Sequence, residues 1–540
     1  MLFNSYIFIF LFFPLCLLGF YGIKQKSATA AKIWLTGFSL WFYGYFNLRY
    51  LLIMIFSILF NYGVYLLIMR ADAIAQIAPI AKTTNTTNAD NSVSKKGDTV
   101  ISVLQNKKTI MLAGVSANLL LLFYFKYYDF FIENVNAVFG SSFALKNILL
   151  PLGISFFTFQ QISFLVDTYR GELNGCSFVD YALFVSFFPQ LIAGPIVTHD
   201  EMLPQFKRIG TKRFDEDTFC RGLFIFVLGM AKKVLVADTF GMAVDTGYGM
   251  IEQLGSVDAI LVMLFYTLQL YFDFSGYCDM AIGIGKMMGI EIALNFNSPY
   301  KACNIIDFWK RWHITLSRFF TKNIYIPLGG NRRGNTRMYF NLFLVFFLSG
   351  LWHGAGWNYI LWGVMHGMMY CVTRWWQKNV KTGCESTEVG NEEQEIRVLT
   401  VSKVASALTR TCKILLTFLY VNAAWVFFRS ESIGQALYLF GRMFTGGIAI
   451  PSIMIAETFN LDEFWYVLKV LHLTDFTYSR YILMVAFTIV IMIVTFLGKN
   501  VHELAKKWKM SWISAVALAV IFSWCVVSLS GVSTFLYFNF

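Results

Sequence analysis

The chain has 540 residues, of which 57% are hydrophobic, 18% aromatic and only 14% charged. A soluble chain carries about 25% charged residues, so the composition excludes an ordinary soluble enzyme and predicts a polytopic membrane protein. The apolar runs are long rather than alternating, which excludes a β-barrel. The formal charge of +12 lies between apolar runs, where the positive-inside rule places it, and is no nucleic-acid signature. The nine cysteines include no CxxC pair, so neither a zinc site nor a disulfide framework is indicated.

A helical span needs about 20 apolar residues. The first run, residues 1–23, has no Lys or Arg before it, and Lys24 and Lys26 follow it. A secretory signal has the opposite order of charge, so a retained helix with its N-terminus outside is expected. Residues 33–70 suffice for two helices with a break near Asn47 and Arg49. Residues 71–108, rich in Ala, Thr, Asn and Lys, read as a flexible cytoplasmic loop. Further apolar runs lie near 109–132, 145–166, 179–198, 219–240, 257–290, 338–372, 405–428, 433–455, 481–498 and 512–530. A second polar loop, 376–403, holds a small acidic cluster (Glu388, Glu392, Glu393, Glu395). The expectation is one all-α membrane domain over 1–540 with about eleven to thirteen transmembrane or re-entrant helices. No repeat of 20–50 residues is seen.

A basic insert, 297–337, interrupts the apolar runs. Residues 301–337 hold eight Lys or Arg and one acid, Asp307, which places the insert on the cytoplasmic side. Asn304 can cap a helix with Asp307 in its first turn. At helical spacing Ile305, Trp309, Trp312, Leu316, Phe319 and Phe320 share one stripe, and Lys310, Arg311 and Arg318 lie opposite. The pattern predicts one amphipathic helix against the membrane or the protein's cytoplasmic mouth. His313 stands at the border of the stripe, either an interfacial histidine or a second active-site imidazole. The loop IYIPLGGNRRGN, 324–335, offers Asn331, Arg332 and Arg333 beside flexible glycines, where main-chain N–H and guanidinium groups would meet a phosphate. A plain positive-inside loop has the same residue types. The GK[ST] element of a Walker A motif is missing.

Residues 349–367, SGLWHGAGWNYILWGVMHG, carry two histidines inside an apolar run. Ionisable groups at membrane depth are costly and mark chemistry or transport. His353 and His366 are 13 residues apart, about 220° around a straight helix, and there is no HExxH, so no metal pair is read. His353, flanked by Trp352, Gly354 and Gly356, is the candidate general base. A helix-packing histidine is the alternative. Asp273 and Asp279, in QLYFDFSGYCDMAIG (269–283), are candidates to orient a histidine or to pair with a nearby arginine. Asp167 and Arg170 are spaced i,i+3 as an ion pair.

Together the stretches at 150–171, 187–196, 269–283, 295–317, 324–334, 348–363 and 535–540 resemble the membrane-bound O-acyltransferases. The likeness is greatest to the bacterial branch with the alginate O-acetyltransferase membrane subunit and the teichoic-acid D-alanyl transfer protein. The resemblance implies a ring of helices around a thin centre, with a funnel to the histidine from each side. It implies that His353 is the catalytic histidine and His313 the second functional one. It further implies acetyl-CoA or another acyl thioester as cytoplasmic donor, with no permanently bound cofactor and no metal. The expected partners are an outer-face SGNH-type acetyltransferase and an exported polysaccharide acceptor, and the expected location is the bacterial cytoplasmic membrane. The basic insert would then border the donor funnel. D-alanyl transfer to teichoic acid is the alternative within this class. A proton-coupled transporter, which composition alone would suit, is the alternative outside it.

Overall fold

The computed structural model describes residues 1–84, 106–173, 175–211, 213–379, 392–460, 465–472, 476, 478–531 and 535–536. The described residues build helices and no strand. Among the described residues, five helices are long and apolar enough to cross a membrane by length and composition: Leu48–Ile74, Lys107–Phe139, Ser256–Met287, Ala407–Arg429 and Ser479–Leu497. Phe8–Lys24 and Trp512–Val527 are shorter apolar helices. Other apolar runs are broken. The run at 179–198, for instance, becomes Phe178–Ser186 and Phe188–Leu191, broken at Phe187, with Pro189 in the first turn of the second helix, where its missing N–H costs no hydrogen bond.

The chain divides into two compact units, Met1–Phe219 with Gly285–Ile292, and Cys220–Ile284 with Ala293–Phe540. In the first, α1 (Phe13–Lys24) packs on α2 (Ala28–Gly44), followed by α3 (Leu48–Thr84), α4 (Lys107–Leu122) and α5 (Ile154–Tyr169). The predicted break between two helices falls at 45–47. The polar segment expected as a loop over 71–108 is shorter than predicted: α3 continues to Thr84, through Ala-rich sequence that favours helix, and 85–105 lie outside the described residues. α3, α4 and α5 are joined by buried amides. Asn61 and Asn118 bond each other reciprocally at 3.1 and 2.6 Å, and Asn61 Nδ2 also donates to Gln161 Oε1 at 2.6 Å. Hydrogen bonds between apolar helices hold them in register where apolar contact alone is non-specific. The predicted pair Asp167–Arg170 forms at 3.7 Å, and Asp167 also meets His199 Nδ1 at 3.2 Å.

In the second unit α6 (Glu216–Ala231) crosses α7 (Ser256–Met287) through glycines. A Cβ on Gly229 would stand 2.8 Å from the Gly276 carbonyl, and one on Gly283 would stand 2.7 Å from the Gly222 carbonyl. This close approach sets the π-turn Lys232–Ala237 against the acids of α7.

The insert differs from the single amphipathic helix expected. It forms two short helices, α8 (Ile305–Trp309) and α9 (Ile314–Phe320), broken at His313, which adopts φ 45° and ψ 53°. Asn304 caps α8 as predicted, accepting from the Asp307 N–H at 2.9 Å. The apolar stripe is covered by protein: Ile305, Trp309, Trp312, Leu316, Phe319 and Phe320 are all buried.

α10 (Asn335–His353) and α11 (Trp357–Asn379) form a tight hairpin. They touch at Gly350 and Gly363, where a Cβ on Gly350 would lie 2.5 Å from the Tyr359 carbonyl and one on Gly363 would lie 2.5 Å from the Phe346 carbonyl. The expected polar loop 376–403 is likewise shorter: α11 runs to Asn379 and α12 spans Glu392–Arg429, whose acidic start suits a helix N-terminus. Residues 380–391 lie outside the described residues.

Candidate active site

His353 is the last residue of α10, and Gly354 leaves the helix in an extended conformation. His313 opens α9 from a left-handed backbone. That geometry costs an L-residue roughly 1–2 kcal/mol and persists only where surroundings enforce it. The enforcing group is Asn295, itself fully buried. Its main-chain carbonyl accepts from Ile314 N–H at 3.0 Å. Its side-chain Oδ1 accepts from Thr315 N–H at 3.2 Å and Thr315 Oγ1 at 2.9 Å, and lies 3.1 Å from His313 Nδ1.

These contacts assign the imidazole's proton. A backbone N–H can only donate, so the atom of Asn295 that Thr315 meets is the oxygen. An amide oxygen can only accept, so His313 Nδ1 carries hydrogen and Nε2 keeps its lone pair. Burial pushes the His313 pKa down to about 3, which keeps the ring neutral at physiological pH. A neutral imidazole with Nε2 unprotonated is the base-competent form.

The His353 and His313 rings are 6.5 Å apart between centroids. Aromatic rings enclose them. Trp362 meets His353 edge to face at 5.1 Å, Trp352 lies 4.9 Å away and Phe428 5.2 Å. Phe274 of α7 stands edge-on to His313 at 4.9 Å. Both histidines are buried.

Next to this pair is a cavity of about 550 Å³. Its wall includes Ile314, adjacent to His313, and Ser349, one turn before His353. Lys310, Arg318 and Arg374 bring positive charge to it, with Tyr325, Tyr370 and Asn331. Of the residues expected to meet a donor phosphate, Asn331 lines this cavity, whereas Arg332 and Arg333 are exposed and outside its lining. Three of the loop's main-chain donors are committed within the turn: Gly329 N–H donates to the Ile326 carbonyl, Gly330 N–H to that of Tyr325 and Arg332 N–H to that of Gly329.

Asp273 and Asp279 are not the groups that orient His313 or His353. Asp273 pairs with Lys233 Nζ at 2.6 Å and accepts from Leu536 N–H at 3.1 Å. Asp279 pairs with Lys232 Nζ at 2.7 Å and with His502 Nε2 at 2.9 Å. Lys233 also meets Asp238 at 2.7 Å. The physical reason is local: two lysines on the neighbouring π-turn reach the carboxylates across the glycine crossing, and buried charges take the nearest opposite charge. His366 is buried among Phe308, Trp309, Trp362, Tyr420 and Trp425. Asn295 and Arg374 escaped sequence reasoning. Neither belongs to a periodic pattern, and each joins the site only through tertiary contact.

An all-α membrane protein with two buried imidazoles in an aromatic chamber beside a basic cavity has the parts for group transfer, and the chain belongs to the membrane-bound O-acyltransferase family (MBOAT), whose family model matches residues 111–384. It is an acyltransferase. The chain is 37% identical, over all of its length and 98% of the relative's, to a peptidoglycan O-acetyltransferase of Helicobacter pylori. It is 35% identical to the "Probable alginate O-acetylase AlgI" of Pseudomonas aeruginosa, over 83% of this chain and 75% of that one. Likeness to the teichoic acid D-alanyltransferase of Bacillus subtilis is 29%, over 43% of this chain and 61% of that one.

Proposed function

We propose that this protein passes an acetyl group from a cytoplasmic acyl thioester across the membrane for O-acetylation of an exported cell-envelope glycan. The full-length likeness to a peptidoglycan O-acetyltransferase favours peptidoglycan as that glycan. The observation that carries the chemistry is the fixed tautomer of His313, base-competent at Nε2, 6.5 Å from His353.

In this reading His353 removes the proton from the attacking hydroxyl. The new C–O bond forms as the thioester C–S bond breaks, and the proton passes to the departing sulfur. His313 assists from the donor side. The donor's anionic portion, such as the phosphates of acetyl-CoA, lies along Lys310, Arg318 and Arg374 with Asn331. Arg332 and Arg333 act at longer range, raising the local concentration of an anion. An outer-face acetyltransferase of SGNH type receives the acetyl group and delivers it to the polymer. The protein sits in the bacterial cytoplasmic membrane with its N-terminus outside, as Lys24 and Lys26 after the first apolar run favour.

The test is mild alkaline hydrolysis of purified envelope polymers from strains with and without the gene, and with His353→Ala. Released acetate is expected to fall to background in the deletion and in His353→Ala, at unchanged protein level. Loss of D-alanine instead of acetate assigns the protein to teichoic-acid esterification. Unchanged esters of both kinds overturn the proposal.

A further inference from the structure

His366 contributes nothing to the reaction as described, yet it is a fully buried imidazole in an aromatic box. A polar ring in such a place is costly unless its polar atoms are used, and phenylalanine would fill the same volume without that cost. What imidazole supplies and phenylalanine cannot is an acceptor. The Trp309 indole Nε1–H lies 3.3 Å from His366 Nδ1. Indole nitrogen only donates, so Nδ1 is the acceptor and the proton of His366 resides on Nε2.

Two of the residues in contact with His366, Trp309 and Trp362, lead to the two halves of the site. Trp309 forms part of the wall of the 550 Å³ cavity, packs on Phe346 at 5.2 Å, and precedes His313 by four residues in the broken segment. Trp362 stands between the histidines of the hairpin, 4.9 Å from His366 and 5.1 Å from His353. We propose that His366 is a positioning residue: through its Nδ1 it holds the Trp309 indole as the cavity wall, and so sets the placement of a donor thioester against the His313–His353 pair. It does not touch the reacting atoms. The bond itself stands on geometry alone. The effect on the donor rests on the acyltransferase reading above.

Three variants separate the roles of the ring. His366→Asn places an amide oxygen where Nδ1 stands and keeps the acceptor. His366→Gln places its amide near Nε2 and loses it. His366→Phe keeps only the volume. The first measurement is the indole ¹⁵N–¹H spectrum of the full chain in detergent, which has 14 tryptophans, with the Trp309 signal identified by Trp309→Phe. That signal is expected to shift upfield and exchange faster with deuterium in the Phe and Gln variants, and to keep its protection in the Asn variant. The second is acetyl transfer by inside-out membrane vesicles supplied with acetyl-CoA. The KM for acetyl-CoA is expected to rise about tenfold in the Phe and Gln variants with kcat nearly kept, the scale expected when a buried donor loses its acceptor. His366→Asn should return to within about threefold of wild type. A Trp309 signal that ignores His366→Phe overturns the bond. Equal losses in Asn, Gln and Phe variants, or a Phe variant with unaltered KM, overturn the positioning role. Wild-type vesicles inactive with acetyl-CoA would refute the donor in the functional reading, and the spectrum would still decide the bond.

Discussion

The second unit buries polar groups in two ways, and the contrast separates architecture from chemistry. On α7 and its neighbouring π-turn, full charges are matched with charges: Lys233 lies between Asp238 and Asp273, and Lys232 meets Asp279 beside His502. At the histidine site, His313 is kept neutral. His313 is held by an amide oxygen rather than a carboxylate, and the rings around it and His353 are aromatic. A carboxylate on Nδ1 would favour the imidazolium, whereas an amide fixes the tautomer without adding charge. A buried base that must accept a proton is best left uncharged, while a helix crossing that must not slip is well served by ion pairs.

Removing one member of the charged set should therefore act on folding. Lys233→Met leaves two buried carboxylates with no ammonium between them and should cost about 3–5 kcal/mol, read as loss of membrane-extracted protein and a lower unfolding midpoint. His353→Ala should do the opposite. It should leave the unfolding midpoint within a few degrees and reduce acetyl transfer by about 10²–10⁴-fold. If Lys233→Met keeps wild-type stability, or if His353→Ala loses activity only in proportion to lost protein, the division between the two regions fails.

The parts visible beforehand were those written in local pattern. The insert's apolar stripe, the Asn304 cap and the glycines of 349–367 could all be read from spacing, and each has a structural counterpart. The break at His313 could not be read. A single left-handed residue leaves the 3.6-residue period of its neighbours nearly intact, and its cause, Asn295, lies 18 residues upstream. Asp273 and Asp279 were visible as membrane-embedded acids, but their lysines sit on another helix brought close by Gly229 and Gly276. Arg374 reaches the cavity only because Gly350 and Gly363 let α10 and α11 close into a hairpin. Arg332 and Arg333, where positive charge was expected, lie outside the cavity, whose wall draws on Lys310, Arg318 and Arg374.

A smaller effect tests the neutrality of His313. Its pKa is about 3 in the folded protein and about 6.5 in the unfolded chain. The unfolded state therefore binds the extra proton between those values, so its contribution to stability is full above pH 6.5 and declines as pH falls toward 3. Between pH 7.5 and pH 5 this amounts to about 2 kcal/mol. His313→Asn retains an N–H for the Asn295 oxygen and has nothing to titrate. The difference in unfolding midpoint between the two pH values should shrink in this variant relative to wild type. An undiminished difference would mean that His313 is not the buried neutral group assigned here.

The smallest expected effect concerns where the donor's negative charge is met. Arg374 and Arg332 are both exposed, but Arg374 lines the cavity and Arg332 lies outside its lining. A charge outside the cavity acts on the donor through solvent and is screened within about 10 Å at 0.1 M salt, so Arg332→Gln should raise the KM for acetyl-CoA by no more than about twofold, and the difference should vanish at high salt. A guanidinium on a cavity wall makes charge-assisted bonds that survive screening. Arg374→Gln should raise KM about five- to tenfold, and the ratio to wild type should persist at 0.5 M salt, as about 1 kcal/mol of direct contact would produce. Measuring both variants at low and high salt separates a contact from a field. If Arg332→Gln is the more damaging and salt does not rescue it, the donor's phosphates meet the glycine loop after all, and the basic cavity serves another ligand.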